Sequence, residues 1–171
     1  MHSDKYSNQI NKIIKVLKTA TISSNDYNST NEPFFNNDIH NIEFKINFEK
    51  IDESKIPSSL NRNIILIYKI LGNTATEIYL KDWTLFSLDK ALELYNDYCE
   101  KGQTNIFDIG FKYMGMGHID VISCDLESHL LFFRPDGGSN GYEREIHYNS
   151  LIKDGSTPYK KFIFTKWFYE I

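Results

Sequence analysis

The sequence is poor in cysteine, arginine and alanine, and no long apolar run interrupts it. Its two cysteines, Cys99 and Cys124, are too few for a disulfide framework and lack CxxC spacing. A zinc site would need His or carboxylate partners at spacings the chain does not supply. Both thiols therefore read as partly buried side chains in a reducing compartment. No stretch of about 18 apolar residues occurs, so no spanning helix is expected, and residues 1–30 hold no signal-peptide core. The expectation is a soluble, cytoplasmic protein without a membrane partner. Basic charge is also scarce. Lys and Arg number 19 against 23 Asp and Glu, a net charge of -4, which argues against nucleic acid as a direct partner because that requires a basic face.

What remains is one domain's worth of chain: 171 residues, 41% of them hydrophobic. A chain of this length buries about 68–70% of the surface its unfolded form exposes, so a core can form without staples. Ile10, Ile13, Ile14 and Leu17 recur at helical spacing among lysines over residues 7–18, an amphipathic helix that must lie on something. Residues 23–41 are mostly Asn, Ser, Asp and Thr, with one Pro, and read as a long loop. Residues 1–40 are therefore read as an N-terminal helix and polar loop extension, and residues 41–171 as the domain proper. Ile42, Phe44, Ile46 and Phe48 alternate with polar residues, the period of a half-buried strand.

Pro57, Ser58 and Ser59 resemble a helix start, and Leu60, Ile64, Ile65, Ile67, Tyr68 and Leu71 supply the wide stripe of a central helix. Residues 78–86 read as one strand, after which Ser87 caps a helix burying Leu88, Ala91, Leu92 and Tyr95. From residue 106 the period becomes two: Phe107, Ile109, Phe111 and Tyr113 on one side, Asp108, Gly110 and Lys112 on the other. Residues 118–124 and 129–134, joined by DLES, should pair as an antiparallel hairpin. PDGGSNG at 135–141 is turn chemistry, followed by alternation at Tyr142, Arg144, Ile146 and Tyr148. Thr157 and Pro158 then resemble the cap of a terminal helix over Tyr159, Phe162, Ile163, Lys166 and Trp167, with a strand as the alternative. Helices before residue 100 and strands after it make an α+β fold, mainly an antiparallel sheet flanked by helices.

Chemistry is harder to place. GFKYMGMGH at 110–118 holds three glycines behind a strand, but neither GxGxxG nor GxxxxGK[ST] can be written through it and no helix opens after it. Such glycines mark a tight turn between strands. His118, Asp120 and His129 could be set together as a metal site, yet only His118 and Asp120 share a strand face, and solvated strand residues are the simpler account. Cys124 sits in no nucleophile motif and Ser123 lacks the GxSxG elbow. The expectation is a protein that is not an enzyme and takes no cofactor or metal. Charge distribution says more. Residues 83–141 carry nine acidic groups against four basic ones, while the flanking segments are nearly balanced. Asp108, Asp120, Asp125, Glu127 and Asp136 are thus candidates for one acidic, partner-binding face that would attract a basic protein, against the plainer account of a solvated surface.

Taken in order, the Pro-led helix IPSSLNRNIILIYKILGN, the strand with Trp83, the helix SLDKALELYNDY, the segment FDIGFKYMGMGHIDVISCDL and the strand before PDGG resemble the SUKH superfamily over roughly residues 48–152. That family includes the domain of a fungal cell-wall-synthesis regulator and many bacterial immunity proteins. By position, Trp83, Leu88 and Ala91 match its strand-to-helix core, and Gly110, Gly115 and Gly117 its strand-turn glycines. The family often has an acidic residue where this chain has His118. The resemblance implies a SUKH-like fold and a non-catalytic immunity protein that neutralises a cognate polymorphic toxin by occluding its active site. Such toxins are often nucleases with basic clefts. The alternative is a regulatory or scaffolding domain with a housekeeping partner.

Overall fold

An amphipathic helix and an alternating strand each leave one face to be covered, and here they cover one another. The computed structural model describes residues 2–19, 21–23, 39–40, 51–71, 78–115, 118–136 and 160–171. Helix α1 spans His2–Leu17, α2 Arg62–Leu71, α3 Leu88–Glu100 and α4 Phe164–Phe168. The strands are β1 (Thr21–Ser23), β2 (Ile39–His40), β3 (Ile78–Leu80), β4 (Trp83–Leu85), β5 (Ile106–Gly115), β6 (His118–Asp125), β7 (Leu131–Asp136) and β8 (Lys161–Phe162). They form one sheet in the order β2-β1-β3-β4-β5-β6-β7-β8, and each described pairing is antiparallel. The result is a single α+β domain, its sheet flanked by helices.

The stripe expected on α1 is in place: Ile13 and Leu17 are buried in the same cluster as α2, and Gln9 donates to the Asn63 side chain. Helix α2 is central, as its wide stripe implied, with Ile64, Leu66, Ile67, Tyr68, Ile70 and Leu71 all buried. It does not begin at Pro57–Ser59. Those residues form a turn closed by Leu60 N–H on the Pro57 carbonyl, and Asn61 caps the helix, its side chain accepting from the Asn63 N–H at 3.0 Å. Ser87 caps α3 as expected, accepting from the Lys90 N–H at 3.2 Å.

Three other expectations are corrected. Residues 78–86 are a hairpin of two short strands, because the chain reverses at Lys81–Asp82 with Lys81 at φ 51°; neither residue is the Gly or Asn that usually marks such a reversal. The terminal segment is strand first and helix second. Phe162 pairs with Leu131, which requires extended backbone, and the helix starts only at Phe164. The polar stretch expected as a loop carries β1 and β2 at its ends. The strand expected at 42–48, the alternation at 142–148 and the cap at Thr157–Pro158 lie outside the described residues.

Paired residues share a face, and faces alternate along a strand. The register places Ile78, Leu80, Leu85, Ile122, Cys124 and Leu131 together on one face, where they join the main core with α1, α2 and α4. Thr84, Ser123, Phe132 and Arg134 lie on the other. The simple alternation expected for 106–113 is broken by a β-bulge between Asp108 and Gly110, and Ile106 to Gly110 are all buried.

The expected scaffold residues divide. Leu88 and Ala91 are fully buried, while Trp83 is only half-buried against the core. Gly110 is required by a close approach: a Cβ there would lie 2.3 Å from the Thr84 carbonyl oxygen. Gly115 adopts φ +92°, the left-handed region that favours glycine, in open space. Gly117 lies outside the described residues. Backbone cannot yield to the missing atom, so Gly110→Ala is expected to lower the unfolding free energy by about 3 kcal/mol or more. A urea titration measures it, and an unchanged midpoint would contradict the β4–β5 pairing.

Candidate functional site

Two clusters of polar and aromatic side chains are built on opposite faces of the sheet. On the face away from the main core, Asp108 on β5 is 2% exposed and accepts from three directions. Its Oδ1 takes the Ser123 hydroxyl at 2.6 Å. Its Oδ2 takes the Tyr98 hydroxyl and the Arg134 Nη2, each at 2.5 Å. Arg134 also donates to the Tyr98 oxygen, and its guanidinium lies 5.6 Å from the centre of that ring. One carboxylate thus joins α3, β5, β6 and β7.

A second buried carboxylate lies on the same face. Asp125 accepts the Glu127 N–H at 3.0 Å and the Ser128 hydroxyl at 2.9 Å, closing the β6–β7 turn, and pairs with Lys161 of β8. Burial alone would raise its carboxyl, but Lys161, the Glu127 N–H and Ser128 outweigh that and hold it below the ordinary carboxylate range.

The five acidic residues expected to form one face do not meet. Asp108 and Asp125 are buried and their charges are neutralised internally. Asp120 lies on the opposite face, cross-strand from Lys112, Asp136 ends β7 in register with Ile119, and Glu127 is exposed in the turn. A net charge per segment does not distinguish inward from outward carboxylates, and the bulge before Gly110 is invisible in the alternation.

The residues weighed for catalysis and metal are occupied otherwise. The His129 ring Nδ1–H donates to the Ser59 carbonyl at 2.6 Å and the Asn61 amide donates to the His129 carbonyl at 2.9 Å, docking the β6–β7 turn onto the start of α2. His118 is exposed at the start of β6. Among the described residues no three His, Cys, Asp or Glu side chains group as metal ligands. Burial pushes the Cys124 thiol up to about 12, so it stays protonated at neutral pH, and the Ser123 hydroxyl is committed to Asp108.

On the core-bearing face lies an aromatic groove that the sequence reading missed. Trp83 stacks on Phe133 with centroids 5.2 Å apart and meets Trp167 of α4 edge-on at 5.7 Å. Phe133 in turn contacts Phe162 at 4.6 Å. The groove has a volume of ≈ 570 Å³, and Lys160, Lys166, Glu170 and Ile171 complete its lining. Phe133 is 39% exposed and Ile163, at the head of α4, 58%. Lys81 donates to the Ile171 carbonyl, tying the end of the chain beyond α4 to the β3–β4 turn. The available signal was the aromatic density of KFIFTKWFY, taken at first for a helix stripe.

No protein-family model, curated protein or solved structure matches this chain. No described helix is long and apolar enough to cross a membrane.

Removing one member of a buried ion pair leaves the other charge uncompensated. Asp108→Ala should therefore cost about 3–5 kcal/mol by denaturant unfolding, whereas a paired Asp108→Leu, Arg134→Met exchange should recover much of it. A single substitution without effect would contradict the pairing. For Asp125 the sign follows from its depressed folded pKa. Its contribution is present above the unfolded value of about 3.9 and lost as pH falls through the lower folded one. The stability gap between wild type and Asp125→Asn should be constant near neutrality and close below about pH 4; a gap unchanged at pH 2 would remove Asp125 from the ion pair.

Proposed function

We propose that this protein is a non-catalytic binding domain of the SUKH kind that acts as an immunity protein, occluding the active site of a cognate toxin. The observation that carries the reading is the groove. Ordered aromatic rings left open to solvent on a sheet face are the composition of a protein-binding hot spot, where Trp, Tyr and Phe fill or line pockets and supply most of the binding energy. The Asp108 cluster supports it differently: with its hydroxyl, guanidinium and carboxylate all engaged with one another, it holds the sheet rather than offering a reactive group. The toxin as partner comes from the resemblance of the sequence to the SUKH superfamily.

The partner surface differs from the one the sequence suggested. Binding centres on Trp83, Phe133 and Phe162 and not on a ring of carboxylates.

Immunity is tested by co-expressing the chain with the product of a neighbouring toxin gene. The expected result is a stoichiometric complex, rescue of growth, and loss of toxin activity in vitro without turnover by the antidote. Phe133→Glu, at a half-open position, should abolish rescue while the thermal transition persists. Rescue that survives this change would move the interface elsewhere, and an isolated gene whose product purifies with a housekeeping protein would favour a regulatory role.

A further inference from the structure

We infer that the aromatic groove receives an apolar side chain carried on an extended, acidic segment of the partner protein. This rests on reading the chain as a protein-binding domain, and it names the partner's chemistry at that surface. The groove's volume of ≈ 570 Å³ lies within the range of about 300–1,000 Å³ typical of ligand pockets. Its floor is aromatic and its rim is charged. Lys160 and Lys166 are both exposed and, among the described residues, neither is ion-paired. Glu170 is the single acidic side chain of the lining, and Asp82, beside Trp83 in sequence, already faces Lys112 at 3.7 Å. A basic segment entering here would set its charges against two lysines that outnumber the single Glu170; an acidic one would pair with them.

The shape of the site favours a length of chain over a small anion. Strand β8, which contributes Phe162 to the groove, is the last strand of the sheet among the described residues. A sheet edge beside a groove suits an extended segment, because the main chain can pair with the edge while alternate side chains enter the groove.

The chain's two tryptophans, Trp83 and Trp167, both line this groove, so tryptophan emission, excited selectively over the eleven tyrosines, reports on it alone. The probes are a capped peptide with a phenylalanine between glutamates, the same peptide with lysines for the glutamates, one with alanine for the phenylalanine, and phenylacetate. The full chain should bind the acidic aromatic peptide about tenfold more tightly than the lysine peptide, with an affinity that falls as salt rises. The alanine peptide should bind weakly. In the Lys160→Glu, Lys166→Glu double variant, which alters exposed positions only, the preference between the two charged peptides should reverse. Equal or tighter binding of the lysine peptide, or no emission change with any probe, would overturn the inference. Phenylacetate acting as well as the peptide would reassign the groove to a small aromatic acid. The toxin-rescue assay separates this from the functional reading. If wild type rescues and the double variant rescues equally, only the groove's chemistry is wrong; if wild type does not rescue while the peptides behave as expected, only the toxin is.

Discussion

The carboxylate of Asp108 is the constraint around which the sheet is arranged. A charge that is 2% exposed is tolerated only when paired and hydrogen-bonded, and here Ser123, Tyr98 and Arg134 meet that demand from three different elements. Each partner must therefore hold its place. Tyr98 locks the end of α3 onto β5, Ser123 and Arg134 set β6 and β7, and the bulge just after Asp108 is absorbed within the strand pair. Such a cluster contributes specificity of arrangement more than net stability, since the desolvation of both charges offsets much of their attraction. With one face of the sheet committed to this polar interior, the aliphatic core and the aromatic groove share the other.

Much of the architecture was legible because local and long-range requirements agreed. The α2 stripe, the Ser87 cap and the β6–β7 hairpin were readable from spacing alone: each has a period or a capping residue that matches what the tertiary structure asks of it. The misreadings share the opposite property. Lys81–Asp82 turns without the Gly or Asn that usually marks a hairpin reversal. Phe162 sits in a helical spacing yet pairs as a strand, because Leu131 offers a partner that spacing within KFIFTKWFY cannot reveal. Asp108 has the alternation of a solvent-facing residue, and only the convergence of Tyr98, Ser123 and Arg134, up to 26 positions away in sequence, shows that it points inward. Carboxylates are usually exposed, so a sum of charges over a segment inherits that assumption and fails where it is broken. The candidate site was less legible than the fold for the same reason. Its aromatics come from β4, β7, β8 and α4, and no single window contains them.

The groove joins strands that are not neighbours in the sheet. Three strand spacings separate β4 from β7, about 14 Å in a flat sheet, yet the Trp83 and Phe133 rings stack with centroids 5.2 Å apart. The two side chains reach across most of that distance, and the bulges in the β5–β6 pair, which raise local twist, favour the rest. Gly110 stands in the row joining Leu85 to Ile122 and Phe133. Its missing side chain admits the Thr84 carbonyl. Helix α4, five residues long and so about 7.5 Å along its axis, is too short to roof the groove. Trp167 covers one flank and Phe133 stays open. A two-residue β8 and a five-residue α4 thus leave an aromatic surface partly open on the core-bearing face. The face is exposed by geometry, not by a lack of apolar residues to cover it.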